Sequence, residues 1–172
     1  SVTAVFSGLL TKVGVYAIIR SQTIFDVPEL SGFDFLTGML EGRIPPPPIA
    51  STMALQLVSV GEGTVDFEVT PHARHLNPLG MVHGGLACTV LDTVVGCAGH
   101  TTLPAGVGYT SIDLQVSYLR PIMPTTEPLR AVGRVVKGGR RVIFTEGELL
   151  DPAGNAFATA TSSLLVIDRR GN

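Results

Sequence analysis

Alternation of apolar and polar residues marks several short segments of the chain. Residues 64–70 alternate cleanly, with Val65, Phe67 and Val69 on one face, which predicts a half-buried strand. The apolar segment 54–60 precedes it across the turn 61–63, so the two segments predict a hairpin.

The C-terminal half has the same alternating character. Residues 109–119, 129–136, 141–150 and 156–167 predict four further strands, and the turn 137–140 joins the middle two as a hairpin. In the first of these strands we expect Ile112, Leu114, Val116 and Tyr118 on one face.

Two segments have helical spacing instead. Residues 33–40 predict a short amphipathic helix, and the prolines at 45–48 predict a stiff extended connector after it. Residues 83–101 predict the longest helix. The order of helix, two strands, long helix and four strands predicts an α+β fold with one antiparallel sheet and one dominant helix.

Composition limits the classes of function. The 172 residues suffice for one domain, and the chain is 45% hydrophobic and 15% charged, so we expect part of its surface to be covered in an oligomer. The formal charge is -2 and no basic stripe is present, so we expect no nucleic-acid partner.

The two cysteines indicate a reducing compartment. Cys88 and Cys97 fall on opposite faces of the long helix, roughly 13 Å apart, and cannot pair within one chain. The apolar run at residues 13–19 is too short to cross a bilayer and ends in no cleavage site. We therefore expect a cytoplasmic protein without a membrane partner.

The long helix carries a residue that its neighbours do not explain. Residues 86–98 are apolar all round, which predicts a buried helix, yet Asp92 is the one ionisable acid or base among them. Burial disfavours the charged form of a carboxylate, which suits a general base or nucleophile. A bond from Asp92 to a buried backbone group is the alternative interpretation.

The start of the same helix is suited to a negative charge. Gly84 and Gly85 follow His83, and glycines at a helix start expose N–H groups that can stabilise an oxyanion; a tight turn is the alternative reason for them. Asp92 lies about 12 Å further along the axis, so one helix cannot present both to one carbonyl. Two helices packed antiparallel in a dimer can, which predicts shared sites.

These residues resemble a known family. The motif NPLGMVHGG at residues 77–85, followed by Leu91-Asp92, resembles the signature of the PaaI-like hotdog thioesterases, the phenylacetate-pathway group. The motifs YTSIDL at 109–114 and SYLRP at 117–121 match the family's next strand. The resemblance covers residues 33–168 and implies a hotdog fold, an antiparallel sheet wrapped around one central helix.

The resemblance also implies roles for individual residues. Asp92 would activate water or attack the thioester carbon, and Gly84, with Gly85, would donate N–H to the thioester oxygen. Asn77 would hold the water or the carbonyl, and His83 precedes the oxyanion glycine. A hydroxyl near the attacking water falls on Ser111 or, one residue away, on Thr110. No cofactor is implied, since coenzyme A is part of the substrate.

The other candidate residues are less specific. Cations that could meet the CoA phosphates are Arg120, Lys137, Arg140 and Arg141, whose alternative role is plain solvated charge. Cys88 as a nucleophile and His72 with His75 as metal ligands are weak alternatives, and we expect no metal site. His100, near the helix end, suits the helix dipole as a cation.

The resulting prediction is an acyl-CoA thioesterase that releases free acid and CoA, as a homodimer or homotetramer. A hotdog enoyl-CoA hydratase and a non-catalytic acyl-CoA-binding protein are the alternatives, although Gly80 stands where the hydratase motif has histidine. The acyl group is left open. We interpret residues 1–32 as a leader outside the domain, and residues 1–25 separately resemble a membrane-helix fragment of antiporter-like subunits.

Overall fold

A computed structural model describes residues 29–124 and 127–168 of the chain. Three helices, α1 (Gly32–Leu40), α2 (Pro48–Met53) and α3 (Gly84–His100), accompany six strands. The strands are β1 (Leu55–Gly61), β2 (Thr64–Val69), β3 (Val107–Tyr118), β4 (Leu129–Lys137), β5 (Val142–Leu150) and β6 (Ala156–Asp168), and a 3₁₀ turn spans Ala73–His75.

The six strands form one antiparallel sheet in the order β1-β2-β4-β5-β6-β3. Helix α3 packs across its middle, with Leu91, Val94 and Val95 fully buried against the sheet. The α+β hotdog arrangement that the sequence predicted is confirmed, and the predicted elements occur in the predicted order with one further helix, α2, between the first helix and β1. Strand β3 is an edge strand, and most of its residues are exposed in a single chain.

Helix and sheet approach most closely at two glycines. A Cβ atom at Gly133 on β4 would lie 2.1 Å from the carbonyl oxygen of Val94, and one at Gly147 on β5 would lie 2.9 Å from a methyl group of Val95. Only residues without side chains allow α3 to rest this close to the sheet, and that contact fixes the position of α3.

The sequence did not predict helix α2. The prolines at 45–48 were interpreted as an extended connector, but Pro48 begins the helix, where its missing N–H costs nothing. Ala54 ends α2 in the left-handed conformation, with φ of 52°. The chain therefore turns sharply before β1.

A β-bulge corrects the predicted face of β3. The register with β6 shifts between Ser111 and Asp113, so Ile112 is an extra residue and is 55% exposed instead of facing α3. The bulge brings Ser111 to the helix side of the sheet, while Leu114 and Val116 still pack against the core. A strict period of two cannot reveal such an insertion.

The predicted leader falls almost wholly outside the described residues. Helix α1 begins at Gly32, one residue before the predicted domain, and Ser31 caps it by accepting a hydrogen bond from Asp34 N–H. The N–H of Gly32 donates to Leu103 O at 2.9 Å, which ties the start of α1 to the end of α3. Across residues 29–124 and 127–168, no helix combines the length and apolar character needed to cross a membrane.

Candidate active site

Helix α3 buries one side and leaves the other open in a single chain. Leu86, Val90 and Val94 are buried, whereas Asp92 is exposed. The expectation of a helix buried all round was therefore wrong for one chain. Apolar residues occur on both sides of α3, but the sheet covers only one of these sides. Asp92 is an accessible carboxylate on a rigid helix.

One hydroxyl on the facing strand holds Asp92. Ser111 Oγ donates to Asp92 Oδ1 at 3.1 Å. Thr110, the other candidate, is exposed and makes no hydrogen bond to Asp92. The bulge at Ile112 sets this choice, since it determines which residue of β3 faces the helix. The structure thus pairs Asp92 with Ser111.

The first turn of α3 holds the two glycines differently. His83 is the N-cap, and its Nδ1 accepts the N–H of Gly85 at 2.8 Å, so Gly85 is not free to donate to a ligand. Gly84 N–H has no acceptor within residues 29–124 and 127–168. Of the two expected oxyanion donors, only Gly84 has an uncommitted N–H.

Tyr118 at the end of β3 is a site residue that the sequence did not single out. Its hydroxyl donates to Gly84 O at 3.1 Å and lies 2.8 Å from Cys88 Sγ. A Cβ atom at Gly84 would lie 3.1 Å from the Tyr118 ring, so glycine gives the ring room. The hydrogen bond to Cys88 raises the pKa of Tyr118. The sequence predicted Tyr118 on the same face of the strand as Leu114 and Val116, and this is the feature that could have identified Tyr118 as a residue facing the helix.

Asn77 shapes the loop before α3. Its Oδ1 accepts the N–H groups of Leu79 at 2.9 Å and Met81 at 3.2 Å. Gly80, in the same loop, has a φ of 78°, a conformation that favours glycine. The side-chain carbonyl of Asn77 therefore holds the loop, and its Nδ2 amide makes no hydrogen bond with the described part of the chain.

The four candidate phosphate-binding cations do not lie together in one chain. Arg120 forms an ion pair with Asp151 at 3.0 Å, donates to Asn155 O, and stacks 4.1 Å above the Phe157 ring. Hydrogen bonds from Asn155 and from Arg120 lower the pKa of Asp151 to about 2. Arg120 is thus committed to a structural network.

The other cations lie at the opposite end of the molecule. Arg141 O accepts from Val166 N–H, whereas Arg120 bonds to Ala156 O, and these two positions on β6 are about 33 Å apart. Lys137, at the end of β4, and Arg140, in the following loop, accompany Arg141. The cations form two groups, one at each end of α3.

The histidines have structural partners. His75 Nδ1 accepts His72 N–H at 3.1 Å, and His75 Nε2 lies 3.0 Å from Thr52 O, so both ring nitrogens of His75 are engaged in holding the loop. The expectation of a cationic His100 was wrong, because burial lowers its pKa. His100 packs against the rings of Phe35 and Tyr109 instead.

The two cysteines are free, as the sequence predicted. Cys88 lies beside Tyr118, and Cys97 lies among apolar residues. Burial, and then the charge of Asp92, raises the pKa of Cys97 to about 12. Neither cysteine has a histidine base as a hydrogen-bond partner in the described ranges.

Two cavities border the open side of α3. The smaller, about 270 Å³, lies beside Gly84 and Tyr118 and is bounded by Arg120 and Phe157. The larger, about 450 Å³, lies between α1, α2 and α3. Its α3 wall begins at Thr93, the residue after Asp92.

The chain matches the Thioesterase superfamily over residues 79–158. A provisionally named esterase of Halobacterium salinarum is 30% identical over 139 residues, which cover 77% of this chain and 90% of that protein. Human acyl-coenzyme A thioesterase 13 is 30% identical over 99 residues, 58% of this chain and 69% of that protein.

A solved structure from Ralstonia eutropha, a provisionally named thioesterase described as phenylacetic acid degradation-related, has a TM-score of 0.70 and 31% identity. The similarity covers 76% of this chain and 98% of that chain. The separate resemblance of residues 1–25 to antiporter-like subunits is not borne out by the comparisons, and those residues lie outside the described part. The fold, the motif at residues 77–92 and these relatives together show that the chain belongs to the thioesterase superfamily.

Proposed function

We propose that the protein hydrolyses an acyl-CoA thioester to the free acid and CoA, with Asp92 as general base or nucleophile. One observation carries the proposal: Asp92 is exposed on the open side of α3 and is bonded by Ser111 Oγ at 3.1 Å. An accessible, oriented carboxylate can remove a proton from water or attack a carbonyl carbon. The names of the two relatives, esterase and acyl-coenzyme A thioesterase, support the same chemistry.

Gly84 N–H is the proposed donor to the thioester oxygen. It lies at the positive end of the helix dipole and has no acceptor in the described part of the chain. His83 contributes indirectly by engaging Gly85 N–H and capping the helix. Asn77 contributes through the loop, since its carbonyl holds the segment that leads into α3.

The active site in this proposal is shared between two subunits. Asp92 and Gly84 of one helix are about 12 Å apart along its axis, too far to act on one thioester. A two-fold antiparallel arrangement of two α3 helices brings Gly84 of one beside the carboxylate of the other. The open edge strand β3 and the open side of α3 support pairing there.

We therefore expect a homodimer, or a tetramer built from two dimers. Light scattering combined with size exclusion measures the mass of the active species directly. A fully active monomer would contradict the shared site.

The cations divide between two tasks in this proposal. Arg120, held by Asp151 and Phe157, forms the wall of the small cavity beside Gly84. Arg140 and Arg141, on the loop at the far end of α3, are the candidates for binding the CoA phosphates, with Lys137 beside them. The two free thiols support a reducing, cytoplasmic location.

Three measurements on one preparation distinguish thioesterase, hydratase and binding protein. Thiol release from a saturated acyl-CoA reports hydrolysis, loss of enoyl absorbance reports hydration, and binding with neither reports a non-catalytic protein. We expect thiol release. The left-handed backbone at Gly80 disfavours histidine at the position that the hydratase motif requires. Enoyl loss without thiol release would contradict the thioesterase proposal.

A further inference from the structure

The larger cavity beside α3 continues from the candidate catalytic carboxylate. Thr93, Cys97 and His100 line it and lie three or four residues apart, on one stripe of α3. Asp92 directly precedes Thr93, and the Ser111 hydroxyl that bonds to Asp92 lies on the same face of β3 as Tyr109, which lines the cavity two residues away. A group bound in the cavity would therefore extend from the position where Asp92 acts.

The opposite side of the cavity is built by residues 32–50, which we name the N-terminal wall. In this wall, the residues that line the cavity are Leu36, Met39 and Leu40 of α1, the prolines at 45–47 and Ile49 of α2. This wall precedes residues 79–158, the stretch that matches the superfamily.

The lining of the cavity carries no charge. No Asp, Glu, Lys or Arg contributes to it among the described residues. Burial lowers the pKa of His100 and raises the pKa values of Cys97 and Tyr109, so all three are neutral at pH 7. A charged or strongly polar acyl group would lose its hydration here without a compensating partner.

We propose that the N-terminal wall determines acyl specificity, and that the cavity takes a linear, saturated acyl chain of eight to fourteen carbons. The inference rests on the proposed thioesterase function and names its substrate class. The volume of about 450 Å³ is about fifteen times the ~30 Å³ occupied by one water-sized group, which sets the upper limit of chain length. A phenylacetyl group has eight carbons, so it matches only the lower end of this range.

The first test is a chain-length series of acetyl-, hexanoyl-, decanoyl-, hexadecanoyl- and phenylacetyl-CoA, followed by thiol release. Each buried methylene contributes about fourfold in binding, and part of this is lost to chain ordering. We expect kcat/KM for decanoyl-CoA to exceed that for acetyl-CoA at least 100-fold and to exceed those for phenylacetyl- and hexadecanoyl-CoA. An equal or higher value for acetyl- or phenylacetyl-CoA would overturn the specificity assignment while leaving the thioesterase proposal standing.

The second test fills the cavity from its rim. Leu40 and Ile49 line it and are 41% and 43% exposed, so tryptophan at either position should not prevent folding. Leu40→Trp and Ile49→Trp should each lower kcat/KM for decanoyl-CoA at least tenfold and change that for acetyl-CoA less than about twofold. Val58 on β1 is 53% exposed and does not line the cavity, so Val58→Trp is the matched control.

The outcomes separate the two proposals. Equal effects of Ile49→Trp and Val58→Trp on decanoyl-CoA would overturn the role of the wall. Absence of thiol release from every substrate would overturn the thioesterase proposal itself. The cavity is then tested by calorimetry with decanoate: binding weakened by Ile49→Trp but not by Val58→Trp supports it, and absence of binding overturns it.

Discussion

Asp92 is the residue on which the proposed chemistry depends. Asp92→Asn retains an oxygen that can accept from Ser111 Oγ but removes the negative charge. We expect kcat to fall at least roughly 100-fold, the lower end for a positioned proton acceptor, with a smaller effect on KM. The free energy of unfolding should change by about 0.5 kcal/mol or less, since the side chain is exposed in a single chain. Near-normal kcat would refute the catalytic assignment.

Ser111 and Thr110 provide a matched pair of variants. Ser111→Ala removes the hydroxyl that bonds to Asp92, and Thr110→Ala removes one that does not. A hydrogen bond to a charged group contributes about 1.5–3 kcal/mol, so Ser111→Ala should lower kcat roughly tenfold or more. KM should be nearly unchanged, because the hydroxyl orients the carboxylate. The reverse ranking of the two variants would show that β3 is in another register.

Cys97 should be chemically quiet in the folded protein. Its pKa of about 12 lies above the ordinary value of 9.0, so the protonated thiol contributes stability that is present below pH 9 and is lost between pH 9 and 12. At pH 9 only about one folded molecule in 1,000 therefore carries Cys97 as the thiolate. Iodoacetamide should therefore modify Cys97 at least 100-fold more slowly in the native protein than in urea, as peptide mass spectrometry can measure. Rates within tenfold of each other would contradict the assignment.

The close contact between α3 and the sheet depends on glycines, which have no side chain. Gly133→Ala would place a methyl group 2.1 Å from the Val94 carbonyl oxygen, so helix and strand must separate. We expect a loss of about 3 kcal/mol in the free energy of unfolding, measured by urea denaturation. Gly138→Ala is the control, since nothing lies within 4 Å of the added atom. Equal stability of the two variants would mean that the packing is looser than described.

The elements with strong periodicity were predictable from the sequence. The four C-terminal strands and α3 agree with the prediction to within a few residues, because apolar residues recur along each of them with the period of a strand or of a helix. Helix α2 was missed because six residues carry too little periodicity, and its signal was the single Pro48 at the first position. The open side of α3 was missed because composition reports how apolar a residue is, not what covers it.

The sequence predicts which residues form the candidate site but does not predict their geometry. Asp92, Gly84 and Ser111 stand out through the motif and through the isolated charge. The sequence does not reveal that the His83 side chain accepts the N–H of Gly85. It also does not reveal that the Tyr118 hydroxyl donates to the carbonyl oxygen of Gly84. Both contacts depend on the directions of side chains, which residue spacing does not give. The cavity was not predictable from the sequence either, because residues of six separate elements line it: α1, α2, β1, β2, β3 and α3.

At the scale of the whole molecule, the working unit should begin near residue 28. Two contacts hold the first residues of the described fold in place: Ser31 caps the start of α1, and Gly32 N–H donates to Leu103 O. A variant lacking residues 1–27 should therefore keep its melting temperature and its thiol-release activity. Loss of folding in circular dichroism would show that the leader belongs to the domain.

The bulge at Ile112 determines which changes in the length of β3 the candidate site can accept. Ser111 already pairs with Leu164 and Asp113 with Ser163, so deleting Ile112 would restore a regular ladder and leave Tyr109 and Ser111 on the side of α3. A regular ladder that retained Ile112 would instead turn the preceding part of the strand over, taking Tyr109 and Ser111 away from α3 and presenting Gly108 and Thr110. A chain with one residue fewer here, and no bulge, would therefore keep the same hydroxyl beside Asp92.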